Sequence, residues 1–598
     1  MTNTIITEKA VTGNPHAWFD EGKVAPATTS RRGSLSRCEN VRTAAISLLA
    51  CVAMCANSAS AGANKFIAAG WEFNERDVDA LLDIADDMDE TPVDGCVVYL
   101  NAKGRDGKAI ETRTGGIFGE TAWDYADVEP LVPKFRRLLA HKSFRHSFLD
   151  GYRAPKKRVA WGDDAAWAKI AHNLRVLAKF AKACGFVGFR IDPEDYQKQC
   201  QYVRIDADGM PYEELSALVR RRGRELFSSV FEEFPDIKIL SYFLLSMGYT
   251  YMGEVDGRNL QDFMLCAGFD LWPHFVDGIF DVLPPSATLI EGNESAYSYR
   301  AEKMKYLWCV NHVKNSLSGL LSPENRAKYR MQVQNSFGVY LDGYSTITNY
   351  NKYGYYMEPI DGSRTRHLAI NLKQAVEAAD EYIWFWGERS CWTSKKRKTW
   401  KDLMPGLYET LLSAKSPDEL GRLLRQQMES GELMNLVTNS ACRALDAGKV
   451  PKPYLTWQES LKSGCRQGVF GVDLAFGHGD MSSLVAEGVG SGCFVCSVGN
   501  RRPGEIVGIS FCSKGKVSIM VGWQKGGKWD WTIPSVFVPV SGKADADGWI
   551  RTDWCVTIPD GADGFGLMLG VRQCDGEKAW FDDIMAISLN NQRNENKQ

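Results

Sequence analysis

Histidine is scarce in this chain, with 8 among 598 residues, and His141 and His146, five apart, are the nearest approach to a ligand pair. No metal site is expected from such spacing. A glycine-rich phosphate loop is also missing. Gly70-Trp71-Glu72-Phe73, which closes the first apolar strand, is not the Gly-x-Gly-x-x-Gly that cradles a dinucleotide. No Gly-x-Ser-x-Gly elbow marks a serine hydrolase. A basic excess is lacking too: the formal net charge is −3, which argues against nucleic acid as a partner, because phosphate binding needs a basic face. Cysteine is frequent, at 16, but its positions after residue 61 are scattered and odd in number. Cys493 and Cys496 form the one Cys-x-x-Cys there, without a second pair at zinc-ribbon spacing. Most of these thiols are therefore expected to be buried small hydrophobes.

What is present begins with a leader. Arg31, Arg32, Arg37 and Arg42 precede the apolar run Ala44–Ala56, and Ala59-Ser60-Ala61 offers small residues to a signal peptidase. The run is shorter than the roughly 20 residues a bilayer requires. Residues 1–61 are predicted to be removed, giving a secreted or periplasmic protein with no integral membrane segment in the mature chain. The rival reading takes Leu48-Leu49-Ala50-Cys51 as a lipoprotein box and anchors the chain at Cys51.

A chain of this length exceeds one hydrophobic core, since domains run to roughly 100–250 residues. The predicted layout is multi-domain: a (β/α)8 TIM barrel over residues 62–405, a helical linker over 406–432 and an all-β jelly-roll sandwich over 433–598. Eight apolar runs supply the barrel strands: Phe66–Phe73, Gly95–Leu100, Ser147–Tyr152, Val187–Asp192, Ile237–Leu244, Thr288–Glu291, Val339–Asp342 and Tyr382–Trp386. Asn74 is placed to cap a first helix whose Val78, Leu81, Leu82, Ala85 and Met88 recur at helical spacing. Further helices are expected over Ala165–Cys184 and Tyr212–Phe234. Ser416-Pro417-Asp418-Glu419 reads as a capping box opening a helix to Glu429. An open doubly wound sheet is the alternative, and the absent glycine fingerprint counts against it. Beyond Leu433, β-rich runs separated by glycine turns take over, among them Val469–Phe476, Ser483–Val489, Glu505–Cys512, Val517–Trp523, Trp549–Ile558, Gly566–Val571 and Trp580–Leu589.

In such a barrel, chemistry sits at the carboxyl ends of the strands. Four of these ends are acidic: Asp192-Pro193-Glu194, Glu291-Gly292-Asn293-Glu294, Asp342 and Glu388. Cleaving a glycosidic bond needs one carboxylic acid to protonate the leaving oxygen and a second carboxylate to act as nucleophile or base. Glu194 is the expected acid/base, Glu291 or Glu294 the second carboxylate, and Asp192 the group that orients Glu194. Sugar rings present C–H faces that pack on flat aromatics. Trp71, Tyr196, Tyr297, Trp386 and Trp392 fall at or just after strand ends, as do the polar Glu72, Asn293, Asp342 and Glu388, and these nine make up the expected substrate-binding set. Lys395-Lys396-Arg397-Lys398 reads as a solvated helix face or as a contact for sulfated or uronic polysaccharide.

Asp192-Pro193-Glu194, behind a strand containing Gly188, resembles in part the chitinase-type Asp-Gly-x-Asp-x-Asp-x-Glu motif, with Val187 and Arg190 where that motif has its first two acids. The barrel as a whole is similar to little-characterised bacterial glycoside-hydrolase-like barrels reading Asp-Pro-Glu-x-Tyr, then Gly-Asn-Glu-x-x-Tyr, then an aromatic strand with a terminal Glu. Here those stretches are Asp192–Tyr196, Gly292–Tyr297 and Tyr382–Glu388. Asn435-Leu436-Val437-Thr438-Asn439, Pro503-Gly504-Glu505 and Trp580-Phe581-Asp582-Asp583-Ile584 resemble CenC-type carbohydrate-binding modules. That second resemblance implies sugar platforms among Trp523, Trp529, Trp531, Trp549 and Trp554. It also allows a structural calcium at Asp582 or Asp583, although Ser440–Arg443 lacks the early acid; no other cofactor is expected. The resulting expectation is an exported glycoside hydrolase acting on a polysaccharide or glycan. The alternative is a non-catalytic glycan-binding surface protein built on an inactive barrel.

Overall fold

A computed structural model describes residues 64–592, apart from residues 75, 114–115, 120, 195–199, 247–268, 346–354, 361 and 445–448. The leader, Cys51 and Tyr196 lie outside the described residues. Nine parallel strand segments follow one another around the first domain: β1 (Lys65–Gly70), β2 (Gly95–Val98), β3 (Phe148–Arg153), β4 (Gly188–Asp192), β5 (Lys238–Ser241), β6 (Thr288–Glu291), β7 (Val333–Asn335), β8 (Phe337–Tyr340) and β9 (Tyr382–Gly387). β7 pairs with β6, whereas β8 pairs with β9, and only Ser336 separates them. Its N–H donates to the Glu291 carbonyl at 2.9 Å. One interrupted stave thus closes an eight-stave barrel that β9 joins to β1 from Lys65↔Tyr382 to Gly70↔Gly387. The break explains why the sequence places the seventh strand late, at Val339–Asp342. The chain enters the sheet at Val333 and leaves it for a helical turn at Leu341–Tyr344.

Two long helices show the amphipathic logic. Asp164–Cys184 is capped by Asp163, whose carboxylate accepts from Ala166 N–H, and buries Trp167, Ile170, Leu174, Leu177 and Ala181. Tyr212–Glu233 packs beside it. At Gly188 a Cβ would lie 1.7 Å from the Lys238 carbonyl, so only glycine lets β4 approach β5 this closely. Below the sheet, Glu381 accepts from Lys65 (2.9 Å) and Lys238 (2.7 Å), tying β1 to β5 across the barrel floor.

Local corrections follow from backbone chemistry. The first expected helix is two short ones, Val78–Leu82 and Ala85–Asp89, and Asp77 rather than Asn74 caps the first by accepting from Ala80 N–H. Trp71–Asn74 is a helical turn, not strand. Ser416 makes no side-chain cap, although the helix it precedes spans Pro417–Glu429 as expected.

The second domain is two six-stranded antiparallel sheets. Every expected run forms a strand within a few residues of its predicted limits, and Gly492–Gly499 adds one that the periodicity had not signalled. Trp523 and Trp549 are buried and serve packing. Nine of the twelve described cysteines are buried.

The segment expected to link the domains is divided between them. Helix Leu407–Lys415 puts Leu407 and Leu411 into the barrel core. Helix Pro417–Glu429 puts Leu420 and Leu424 against Ile506, Cys555, Met585 and Ile587 of the sandwich. A Cβ on Gly421 would lie 2.4 Å from Trp554 N, and Arg425 pairs with Asp553 at 2.9 Å. The helix thus lies on the Trp554 backbone, while the Trp554 side chain packs against the sandwich core. Leu424→Ala should lower the stability of the sandwich by about 2–4 kcal/mol in urea unfolding followed by tryptophan fluorescence. An unchanged midpoint would show that this helix is not part of the sandwich core.

Candidate active site

Polar side chains alternate inward along β3 and β4 and converge at the barrel mouth. The Arg190 guanidinium is fully buried. It donates to Tyr99 Oη at 2.6 Å and to Asp192 Oδ2 at 3.2 Å, and it stands 3.0 Å from Asp150 Oδ1. Its flat face lies 4.7 Å from the centre of the Tyr242 ring. Tyr242 stacks on Trp384 with ring centres 4.0 Å apart, and Trp384 Nε1 donates to the Gly292 carbonyl at 2.8 Å. The aromatic wall keeps water from the guanidinium and strengthens each charge interaction around it.

Carboxyl groups outnumber cations here. Asp150, Asp192, Glu194 and Glu294 are all buried, while Arg190 and Arg153 supply the positive charge. Glu194 N–H donates to Asp192 Oδ1 at 3.1 Å, so Asp192 bridges Arg190 and the backbone of Glu194. Burial, followed by repulsion from Glu194, pushes Asp192 up to about 6. Glu294 is held well above the usual carboxylate range by burial and then by Glu194 and Asp192, with Arg190 opposing. Mutual repulsion of this kind favours the protonated form of one member of such a cluster.

The rim is aromatic and acidic. Trp386 Nε1 donates to Glu388 Oε1 at 3.1 Å and meets Tyr242 edge-on at 5.8 Å. Asp342 accepts from Glu388 N–H at 2.8 Å, fixing the turn after β9, and burial raises it to about 6. Trp71 is 56% exposed beyond β1.

Of the residues expected from sequence, the structure therefore gathers Asp192, Glu194, Glu294, Asp342, Trp386 and Glu388. It gives others structural work. Glu291 is fully buried, and its two oxygens accept from Leu244 N–H (2.9 Å), Leu245 N–H (2.7 Å), Ser246 N–H (3.0 Å) and Ser246 Oγ (2.7 Å), which staples the turn after β5. Asn293, in the left-handed region at φ 47°, donates to Asn335 Oδ1 and the Ser336 carbonyl, both at 2.7 Å, and so braces the break between β7 and β8. Glu72 accepts from Trp392 N–H at 2.6 Å beneath the loop after β9, and burial lifts it to about 7. Trp392 and Tyr297 are buried, Tyr297 among Tyr340, Tyr355 and Trp384. Tyr99, Asp150, Arg190 and Tyr242 were not anticipated. Their signal was a charged residue in an apolar run, Asp150 and Arg190 each interrupting a strand on its inward face.

In the sandwich, calcium does not suit Asp582 and Asp583. The two Asp582 oxygens accept from His478 N–H (2.8 Å) and Asp583 N–H (2.7 Å). Asp583 Oδ2 is 2.7 Å from Arg551 Nη2, leaving nothing like the six to eight oxygens that calcium takes. The outer face of one sheet is apolar. The Trp529 ring covers Gly522 and Gly566, where a Cβ would come within 2.9 and 2.2 Å of it, and stacks at 5.4 Å on Trp531, which is 62% exposed. Exposed Trp457 lies on the same face, opposite Cys493.

No protein-family model and no curated protein matches the chain. Among solved structures, it is similar to the enzymatically active domain of bacteriophage CBA120 tailspike protein 4 at 14% identity, over 26% of this chain and 21% of that one, with a TM-score of 0.20. It is similar to the CBM22-2 xylan-binding domain of Paenibacillus barcinonensis Xyn10C at 11% identity, over 24% of this chain and 94% of that one, with a TM-score of 0.17. The arabinose-bound MgGH51 α-L-arabinofuranosidase matches at 12% identity, over 26% of each chain, with a TM-score of 0.18. Each likeness spans about a quarter of this chain. Among the described residues, no helix is long and apolar enough to cross a membrane.

A carboxyl raised by folding binds its proton more tightly in the native state, so its stabilising effect is full below the unfolded value and fades as pH rises through the folded one. For Asp192 that window runs from its ordinary value of 3.8 to about 6. Asp192→Asn should flatten the fall of stability with rising pH across this window by up to about 1.4 kcal/mol per pH unit, read from urea midpoints. A slope equal to that of the parent would show that Asp192 is ionised throughout.

Proposed function

We propose that the barrel hydrolyses a glycosidic bond with Glu294 as general acid and Glu194 as its partner carboxylate. One observation carries this reading: two carboxyl groups, following β4 and β6, are buried and repel each other, and burial with that repulsion raises Glu294 well above the usual carboxylate range. Glu294 is the member held high, which leaves the carboxylate role in this reading to Glu194. This reverses the role the sequence suggested for Glu194 and selects Glu294 over the stapled Glu291.

A proton held on Glu294 is available to the leaving oxygen, while the Glu194 carboxylate acts across the sugar as nucleophile or base. Glu388 and the ring of Trp386 are placed to contact hydroxyls and C–H faces. The Trp529–Trp531 shelf with Trp457 suits the sandwich to binding the same polymer. Because helix Pro417–Glu429 is packed into the sandwich, this second platform is held by the fold rather than trailing on a tether. The arginine-flanked apolar leader supports action outside the cytoplasm on a polysaccharide or glycan.

The test is reducing-end release from a polysaccharide panel by the purified chain. Glu194→Gln and Glu294→Gln should each lower the rate at least about 100-fold while leaving carbohydrate binding intact. Glu291→Gln should instead lower thermal stability. Turnover retained in both Glu194→Gln and Glu294→Gln would contradict the assignment, and binding without turnover by the parent would favour the non-catalytic alternative.

A further inference from the structure

The sandwich carries a second polar cluster that the glycan reading does not use. Strand Ile506–Lys514 lies between strands Ile550–Thr557 and Lys578–Gln592, and Cys512 is in register with Arg551 on one side and Asp582 on the other. Between Ser510 and Cys512 the pairing slips by one residue. That bulge lets Asp583 adopt a φ of 49°, a left-handed conformation that costs a non-glycine residue of order 1 kcal/mol and persists where surroundings enforce it. The result is a convergence of unlike donors: a His478 ring nitrogen, Cys512 Sγ and an Asp583 carboxylate oxygen all lie within 4.8 Å of one another.

We propose that His478, Cys512 and Asp583 bind a zinc-class divalent cation. Imidazole nitrogen, sulfur and a single carboxylate form the donor set that selects such an ion over calcium. His478 is poised for it on both edges. Nδ1 faces Asp583 Oδ2 at 2.8 Å, and Nε2 faces Asp545 Oδ2 at 3.6 Å. A ligating histidine commonly directs its other N–H to a carboxylate, which fixes the tautomer and raises its basicity. The His478 backbone is itself held by Asp582, through the 2.8 Å hydrogen bond from its N–H.

Binding is a proton-balanced exchange. Burial pushes the Cys512 thiol up to about 12, so it is protonated in the metal-free chain. The cation takes the thiolate and releases that proton to solvent, while neutral His478 presents Nδ1 with its proton on Nε2 toward Asp545. Thiolate and carboxylate then neutralise the two positive charges. Arg551, which donates to Asp583 Oδ2 at 2.7 Å, is the cation that holds this carboxylate in the metal-free state and must yield part of it. The ion would join three neighbouring chain segments, so its binding should stabilise the sandwich.

Cobalt(II) titration of the chelator-stripped full chain provides the readout, since a cobalt–thiolate bond gives a near-ultraviolet charge-transfer band that nitrogen and oxygen ligands do not. The expected result is one equivalent bound, displaced by zinc, with a higher melting temperature in zinc but not in calcium. Cys512→Ser should abolish the band, His478→Gln should weaken binding at least tenfold, and Asp545→Asn should weaken it about tenfold. His478 and Asp545 are partly exposed, so these variants report on the site even if Cys512→Ser disturbs packing. A band that survives Cys512→Ser or His478→Gln, equal stabilisation by calcium, or no metal response would overturn the proposal.

Discussion

The barrel mouth is organised around one buried cation. Arg190 has no access to solvent and spends its donors on Tyr99 and Asp192, with Asp150 as its ion-pair partner. An arginine remains protonated in such a setting, so its desolvation must be met by carboxylates and by the Tyr242 face. The carboxyl groups that gather there exceed the charge they neutralise. Leaving all of them ionised in an aromatic-walled site would cost several kcal/mol per unpaired charge, and retaining a proton is the lower-energy solution. The raised Glu294 carboxyl is thus a consequence of how the core is closed, not a property of one glutamate.

The contrast between Glu291 and Glu294 makes the same point. Glu291 ends β6 and Glu294 follows it three residues on, both buried, yet Glu291 receives four donors from the turn after β5 whereas Glu294 receives the repulsion of Glu194 and Asp192. The left-handed turn at Asn293, braced by Asn335 and Ser336, sends the two side chains to different fates. Barrel closure through Ser336 and placement of the second carboxyl are therefore one structural event. A change that disturbed the break between β7 and β8 would move Glu294 as well.

Much of this was legible in the sequence. Seven of the strand positions followed from apolar runs of strand length, and the two long helices from 3.6-residue periodicity, because both signals are local. The seventh strand was placed late because its stave is broken at Ser336, a feature only its two different partners reveal. Strand Gly492–Gly499 was missed because its cysteines and terminal glycines resemble a loop in composition. The acids at the strand ends could be named, but the sequence could not separate a staple from an acid, since that depends on backbone N–H groups some 45 residues away. Against the chitinase-type pattern, Arg190 is a departure. A charge inside an apolar strand was itself the stronger signal, because burial of an arginine demands partners.

The central claim is that the carboxyl cluster holds its proton on Glu294. The most direct measurement is the infrared difference spectrum between the parent and Glu294→Gln near pH 7. The account predicts loss of the carbonyl stretch of a protonated carboxylic acid, with no matching loss of carboxylate intensity. Loss of a carboxylate band, with the carbonyl region unchanged, would show that Glu294 is ionised and contradict the account.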